Sequence, residues 1–301
     1  MGRASRPLSW GRDIIVGLTV ASGVGYLATA YTVSRWLTRR SHGKPVPPAD
    51  DDLRCEVLEC RTTDGLRLRG WAIDPPAPRA TIALFHGLRR NRAQMLGRML
   101  VLAEAGYRCV AFDHRAHGES QGRKASFGFH ERLDVEAVSR LIAERWPDQP
   151  VAGLGMSMGA AALCFAGAGL PLYRAFVLES MYHDLQSAFV NRMGAVFPAW
   201  FRRFRRGIIW VTERRTGVRL REAAPAEHIG RLAPRPVLLV TGEADCYASP
   251  ADLARLSERC QGLRESCVIP EAGHMNVFEQ GGPVYRDAVL SFLARSLSLG
   301  I

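Results

Sequence analysis

Lysine is nearly absent from this chain of 301 residues: Lys44 and Lys124 are the only two, so almost all of its 40 basic residues are arginine. Cysteine is sparse as well. The seven cysteines are unevenly spaced and form no Cys-x-x-Cys, which excludes a disulfide scaffold and the common zinc modules. Cys55/Cys60 and Cys260/Cys267 are the pairs that an oxidising compartment would allow. Cofactor signatures are missing. Gly153-x-Gly155-x-x-Met158 lacks the third glycine of a dinucleotide fingerprint, and Gly122-Arg-Lys-Ala-Ser126 has no phosphate-loop pattern. His130-Glu131 has no second histidine at the zincin spacing. No cofactor and no metal are therefore expected. There are no internal repeats, and one long charge-free run lies at the N-terminus.

What is present is ordinary globular material, 47% hydrophobic and 23% charged. The net charge of +11 is unevenly placed. Residues 1–48 carry seven basic residues against one acid, and residues 183–225 carry nine arginines against three acids. The remainder is close to neutral. Two basic segments on a neutral body favour anionic surfaces. The arginines of the second segment sit among aromatics and not in a known nucleic-acid module, so no nucleic-acid partner is expected.

The charge-free run spans residues 14–33, twenty residues or about 30 Å of helix, the thickness of a bilayer core. Arg3, Arg6 and Arg12 precede it, while Arg35, Arg39, Arg40 and Lys44 follow it. Trp10, Tyr31 and Trp36 lie at its ends, where amphipathic rings prefer the interface. Three readings stay open. The expected one is a single-pass N-terminal membrane anchor. A secretory signal cleaved at Ala28-Thr29-Ala30, giving an exported protein, is the second. A helix of the folded domain is the third. Gly17, Ala21, Gly25 and Thr29 recur every four residues and give the run one small face, either a packing face or chance. Pro45, Pro47, Pro48 and three aspartates then read as a linker, so residues 1–48 are expected as anchor and linker and 49–301 as the folded domain.

From Cys55 the pattern becomes regular. Cys55–Arg61 and Leu66–Ile73 alternate around Asp64-Gly65, a hairpin signal. Thr81–Phe85 is a short apolar run, and strands are predicted at 108–112, 151–154, 174–178, 236–241 and 265–269. Helices are predicted at 92–105, 131–145, 158–168, 250–261 and 284–297. This alternation implies an α/β fold with a mostly parallel sheet covered by helices on both faces. The rhythm breaks at about 183–225, which reads as a short helical cap inserted over the sheet's carboxyl edge.

Gly155-Met156-Ser157-Met158-Gly159 follows a strand candidate and opens a helix candidate, the strand–turn–helix setting that pushes a serine onto a sharp bend. A serine hydroxyl needs a base to act as a nucleophile at neutral pH. His274, after the last strand, is the histidine that follows every plausible acid position. Asp245, in the loop after 236–241, is the expected acid, with Glu243 its competitor. Phe85-His86-Gly87-Leu88 ends a strand beside this constellation. The backbone amides of Leu88 and Met158 are the expected oxyanion donors, and His86 is expected to hold the loop.

His86-Gly87, Asp113-His-Arg-Ala-His-Gly118-Glu-Ser120, the serine elbow and the Gly242…Asp245…His274 tail occur in one order. Together they resemble the α/β-hydrolase superfamily, in particular its serine-aminopeptidase-like and monoacylglycerol-lipase-like branch, over roughly residues 53–298. The resemblance implies the α/β-hydrolase fold and a structural role for the turn from Asp113 to Ser120. Relatives hydrolyse esters, thioesters, lipids or peptides, so it implies a reaction type and no substrate. The expectation is a serine hydrolase cleaving carboxylic ester or thioester bonds of small acyl or lipid-like substrates. A peptidase of the aminopeptidase branch and a non-catalytic, membrane-tethered binding module remain the alternatives. The cap's Phe197-Pro-Ala-Trp200-Phe201-Arg202-Arg203-Phe204-Arg205-Arg206 suits a membrane interface, an acyl pocket or a plain solvated cap. No individual substrate-binding residue stands out.

Overall fold

The structure is a computed structural model describing residues 10–41, 43–46 and 55–298, with the backbone alone for 10–21 and Ala195. Arg3, Arg6 and the linker residues Pro47, Pro48 and Asp50 to Asp52 lie outside the described residues. Helix α1 (Trp10–Thr38) runs past the charge-free stretch and through Arg35 and Trp36. Among the described residues no helix is long and apolar enough to cross a membrane.

The hairpin forms as β1 (Cys55–Arg61) and β2 (Arg67–Ile73), antiparallel and turned at Gly65, whose φ of 85° suits glycine. β3 (Thr81–Phe85) and β4 (Arg108–Phe112) flank α2 (Leu96–Glu104), and α3 (Arg132–Arg145) leads to β5 (Val151–Met156). α4 (Met158–Gly167) and β6 (Tyr173–Glu179) follow. The insertion comes next, as α5 (Leu185–Val196), a 3₁₀ turn over Ala199–Phe204, and α6 (Arg205–Thr216). β7 (Val237–Gly242), α7 (Pro250–Arg259), β8 (Arg264–Ile269) and α8 (Val277–Ser298) close the chain. α8 begins a full two turns before the expected start and breaks at Gly282-Pro283.

The eight strands form one sheet in the order β1-β2-β4-β3-β5-β6-β7-β8, parallel from β4 onward and antiparallel on both sides of β2. β3 to β7 are buried on both faces, which is why they read as continuous apolar runs. Val135, Val138, Ile142 and Leu163 pack one face of the sheet, and Met95, Met99, Val289 and Phe292 pack the other. A third apolar cluster joins the cap to α1, with Ala30 and Leu37 set against Ile208 and Val211.

The segment expected as an independent anchor is therefore, over its second half, part of the folded body. Ala30, Ser34, Leu37 and Thr38 are buried, and Thr212 Oγ1 donates to Ser34 Oγ at 3.0 Å. Tyr26 crosses α6 where Gly207 has no side chain; a Cβ there would lie 2.4 Å from the Tyr26 ring. The Gly207 amide, a first-turn donor with no intrahelical acceptor, donates to Tyr26 Oη at 3.0 Å. The Gly25/Thr29 side of the helix is not this packing face, since a Cβ on Gly25 would meet nothing within 4 Å. Past the helix, Ser41 N donates to Ala116 O at 2.9 Å and Pro45 is buried, so the expected linker also begins against the body. All seven cysteines are free thiols, and neither candidate disulfide forms.

Candidate active site

Ser157 lies between β5 and α4 with φ 53° and ψ −112°, a conformation that costs a non-glycine residue on the order of 1–3 kcal/mol. The turn closes because its neighbours lack side chains. A Cβ on Gly155 would lie 2.6 Å from Ala160 Cα, and one on Gly159 would lie 2.2 Å from Phe85 O. Ser157 N donates to Glu179 O at 2.8 Å, tying the elbow to the end of β6.

His274 Nε2 lies 2.9 Å from Ser157 Oγ, and His274 Nδ1 lies 2.8 Å from Asp245 Oδ2. Asp245 is buried, and its other oxygen accepts from the amides of Tyr247 and Ala248 at 2.8 and 2.9 Å. A carboxylate fixed in this way accepts the Nδ1 proton and leaves the Nε2 lone pair facing the serine hydroxyl. Glu243 instead accepts from the Glu271 amide at 3.1 Å, so the geometry selects Asp245. The Tyr247 ring stands edge-on to His274, with centroids 5.2 Å apart.

The strand β3 delivers the loop carrying Leu88. His86 Nδ1 donates to Gly87 O at 2.8 Å, and its Nε2 accepts from His114 N at 3.0 Å. The Gly87 amide donates to Gln94 Oε1 at 2.8 Å. One residue further, Arg89 N donates to His117 Nε2 at 3.0 Å, while His117 Nδ1 donates to Arg115 O at 2.8 Å. Each of these two histidines uses one nitrogen as an acceptor and so must be neutral. Burial agrees with this: it holds His86 well below the ordinary histidine value and pushes His117 down to about 4. Met158 opens α4, where an amide has no intrahelical acceptor, and Leu88 N donates to no backbone carbonyl among the described residues. Both residues border the pocket at Ser157.

That pocket has a volume of about 60 Å³. Leu88, Phe127, Tyr182, Leu185 and Phe189 make it apolar, and α5 of the cap supplies one wall. Arg192 also reaches it; its guanidinium lies 5.3 Å from the centre of the Tyr247 ring, and its buried Nε has no hydrogen-bond partner. The turn from Asp113 to Ser120 is structural: Asp113 accepts from the amides of Arg92 and Glu119 at 2.7 and 2.9 Å. A second carboxylate, Glu179, lies at the end of β6, behind the elbow. Arg98 Nη2 donates to its Oε2 at 2.7 Å, and Tyr285 Oη also donates to it. Burial pulls the Arg98 guanidinium down, but Glu179 and Tyr285 more than offset that and hold it above its ordinary value.

Residues 76–216 match the family of serine aminopeptidases designated S33. That match covers just under half of the chain and agrees with the elbow and the sheet order. The chain has the α/β-hydrolase fold. The chain is 28% identical to the uncharacterized protein YqkD of Bacillus subtilis over 239 residues, 76% of each chain. It is 25% identical to the uncharacterized protein YfhR of Escherichia coli K12 over 82% of its own length and 84% of that protein's. Among solved structures, an esterase of Pyrococcus furiosus superposes with a TM-score of 0.71 at 22% identity, covering 86% of this chain and 98% of that one. An acetyl xylan esterase of Thermoanaerobacterium superposes at 0.61 with 18% identity, covering 91% and 93%. The family match ends before Asp245 and His274, so the placement of those two residues rests on the geometry of this structure itself.

Ser157, Asp245 and His274 thus come together, and Leu88 and Met158 flank them. Gln94, His117, Tyr247 and Arg192 escaped the sequence reading. Gln94 and Arg192 carry no motif, His117 was read only as part of a structural turn, and the fold brings all four to the loop or the pocket.

Proposed function

We propose that the protein is a serine hydrolase that cleaves carboxylic ester or thioester bonds of small acyl or lipid-like substrates. The observation that carries this reading is the line from Ser157 Oγ through His274 to Asp245, with contacts of 2.9 and 2.8 Å on a strained elbow. Ser157 Oγ attacks the acyl carbon while His274 Nε2 takes its proton. The carbonyl oxygen, now negative, is held by the Leu88 and Met158 amides. As the carbonyl re-forms, the bond to the alcohol or thiol breaks and the leaving group takes the proton from His274. Water then repeats the sequence on the acyl-enzyme and releases the acid. The apolar wall of Leu185 and Phe189 accommodates the acyl chain.

The S33 match raises the peptidase alternative. A free substrate amine would need an acidic partner, yet no carboxylate lines the pocket and Arg192 does.

We also propose that the hydrolase works at a membrane. The charge-free run leads into a helix whose outward residues Val24, Leu27 and Tyr31 are exposed. The cap packed against it exposes Trp200 and Trp210 beside Arg202, Arg203, Arg205 and Arg206. Cleavage after Ala30 would remove Tyr26 and its bond to the Gly207 amide, which favours an uncleaved segment.

The test is hydrolysis of p-nitrophenyl esters of increasing chain length by the full chain and by Ser157→Ala, with aminoacyl p-nitroanilides in parallel. Loss by a factor of about 10⁴ or more in the variant is expected on esters. Turnover on the anilides alone would transfer the assignment to the peptidase. Unchanged flotation with neutral-plus-anionic vesicles after Arg202/Arg203/Arg205/Arg206→Glu would remove the cap from the membrane reading.

A further inference from the structure

Beside the oxyanion loop lies a second cavity, of about 1020 Å³. Arg35, Arg39 and Arg40 line it from the end of α1, Arg89 from the loop after β3, Arg123 from the loop after β4, and Arg215 from α6. Four separate parts of the chain thus bring guanidinium groups to one space. Among the described residues no carboxylate lines it, and none of the six arginines forms a salt bridge. This sets them apart from Arg92, Arg98 and Arg115, each of which is paired with a buried acid.

Aromatic faces, carbonyls and a hydroxyl hold three of these arginines in place instead of carboxylates. Arg89 lies 4.6 Å over Trp36 and donates to Trp36 O at 3.4 Å. Arg215 lies 4.8 Å over Tyr31 and donates to Thr38 Oγ1 at 3.5 Å. Arg40 donates to Gly122 O at 3.4 Å. Such contacts orient a guanidinium but leave its charge unneutralised. The Nε atoms of Arg40 and Arg215 are buried with no hydrogen-bond partner. The arginines also act on one another: Arg89 is held below its ordinary value by burial and then by the charges of Arg39 and Arg192. A preorganised cluster of unpaired, forked donors is complementary to the tetrahedral oxygens of a phosphate.

We propose that this arginine cradle is a binding site for a phosphate group, in the first place the headgroup phosphate of a membrane lipid. Its floor begins at Tyr31 and Arg35, at the end of the charge-free run of α1, the depth at which headgroup phosphates would lie against an interfacial helix. The phosphate chemistry stands independently of hydrolysis; the lipid source rests on the membrane reading above. Arg89 follows Leu88, so a phosphate held here sits next to the loop that would hold the oxyanion.

Binding is measured on the full chain carrying Ser157→Ala, so that loss of hydrolysis cannot enter. Arg35, Arg39 and Arg123 are exposed, and the triple variant R35Q/R39Q/R123Q removes three cradle charges at little cost to folding. R202Q/R205Q/R206Q removes the same charge from the cap. One arm reads thermal protection by inorganic phosphate and by glycerol phosphate. The other reads flotation with vesicles of phosphatidylcholine, with and without phosphatidylglycerol. Each cradle arginine removed is expected to weaken binding about fivefold, so the triple loses about a hundredfold. Protection by soluble phosphate that the cradle triple abolishes and the cap triple spares supports the site and a soluble source. Binding to anionic vesicles alone, weakened more by the cradle triple than by the cap triple, supports the site and the lipid source. Equal losses in both triples would show attraction by net charge only and overturn the proposal. No effect of the cradle triple in either arm would overturn it as well.

Discussion

Two buried carboxylates, Glu179 at the end of β6 and Asp245 in the loop after the neighbouring β7, lie near Ser157, and they should fail in opposite ways. Glu179→Gln removes the charge that Arg98 faces at 2.7 to 3.1 Å, with Arg98 and Glu179 only 4% and 0% exposed. Breaking such a buried pair leaves an uncompensated cation and costs about 3–5 kcal/mol. In a domain of this size that is on the order of 10 °C in melting temperature. Below the transition the triad is untouched, so ester turnover at 20 °C should stay within about threefold, less than 1 kcal/mol of barrier. Asp245→Asn should do the reverse. Its oxygen still accepts from the Tyr247 and Ala248 amides, but the side-chain nitrogen faces His274 Nδ1 and imposes the wrong tautomer. Turnover should fall by a factor on the order of 10³ to 10⁴, with melting lowered only slightly. Thermal melts and ester kinetics on the two variants decide the matter. A stable Glu179→Gln, or one that loses turnover by the Asp245→Asn factor, would refute this division of labour between the two carboxylates.

Three further outcomes follow from the same contacts. His86 and His117 are neutral in the folded chain but protonate near pH 6.5 when unfolded, so the unfolded state takes up more protons below that pH and stability falls as pH drops from about 6.5 towards 4. The slope should approach about 1.4 kcal/mol per pH unit for each ring, read as a falling urea midpoint, and a flat profile would contradict their neutrality. Phe189→Ala opens the wall of the 60 Å³ pocket, so kcat/KM for longer acyl chains should rise about fourfold for each added CH₂ that gains burial; an unchanged chain-length profile would place the acyl chain elsewhere. Gly207→Ala puts a Cβ 2.4 Å from the Tyr26 ring and should cost about 1–3 kcal/mol while sparing turnover of short esters; a melt identical to wild type would mean that α1 is not seated on the cap.

The sheet was legible because β3 to β7 are buried on both faces and leave uninterrupted apolar runs, and the elbow because a glycine-flanked serine between strand and helix has one efficient geometry. The acid needed coordinates, since Glu243 and Asp245 lie two residues apart and only the backbone of the loop decides which one turns towards His274. The seat of α1 was hidden for a different reason. Its buried face is built of Tyr26, Ala30, Ser34 and Thr38, which carry too little hydrophobicity to stand out from the surrounding charge-free run. What makes it a packing face is a missing side chain on the partner helix, at Gly207, almost two hundred positions away. Arg192 at the pocket and the grouping of the cradle arginines went unread because an unpaired cation and a paired one look identical in sequence.

The seating of α1 on the cap changes what it means to trim this protein. Removing the apolar N-terminal segment is the ordinary way to make a tethered hydrolase easy to handle. Here the cut would do more than shorten the chain. It would strip the cover from Ile208 and Val211, leave the first turn of α6 without its acceptor, and take three arginines from the cradle. One wall of the pocket at Ser157 belongs to the same cap. A shortened chain would therefore be a cap variant, and its substrate preference would describe a different enzyme from the intact one.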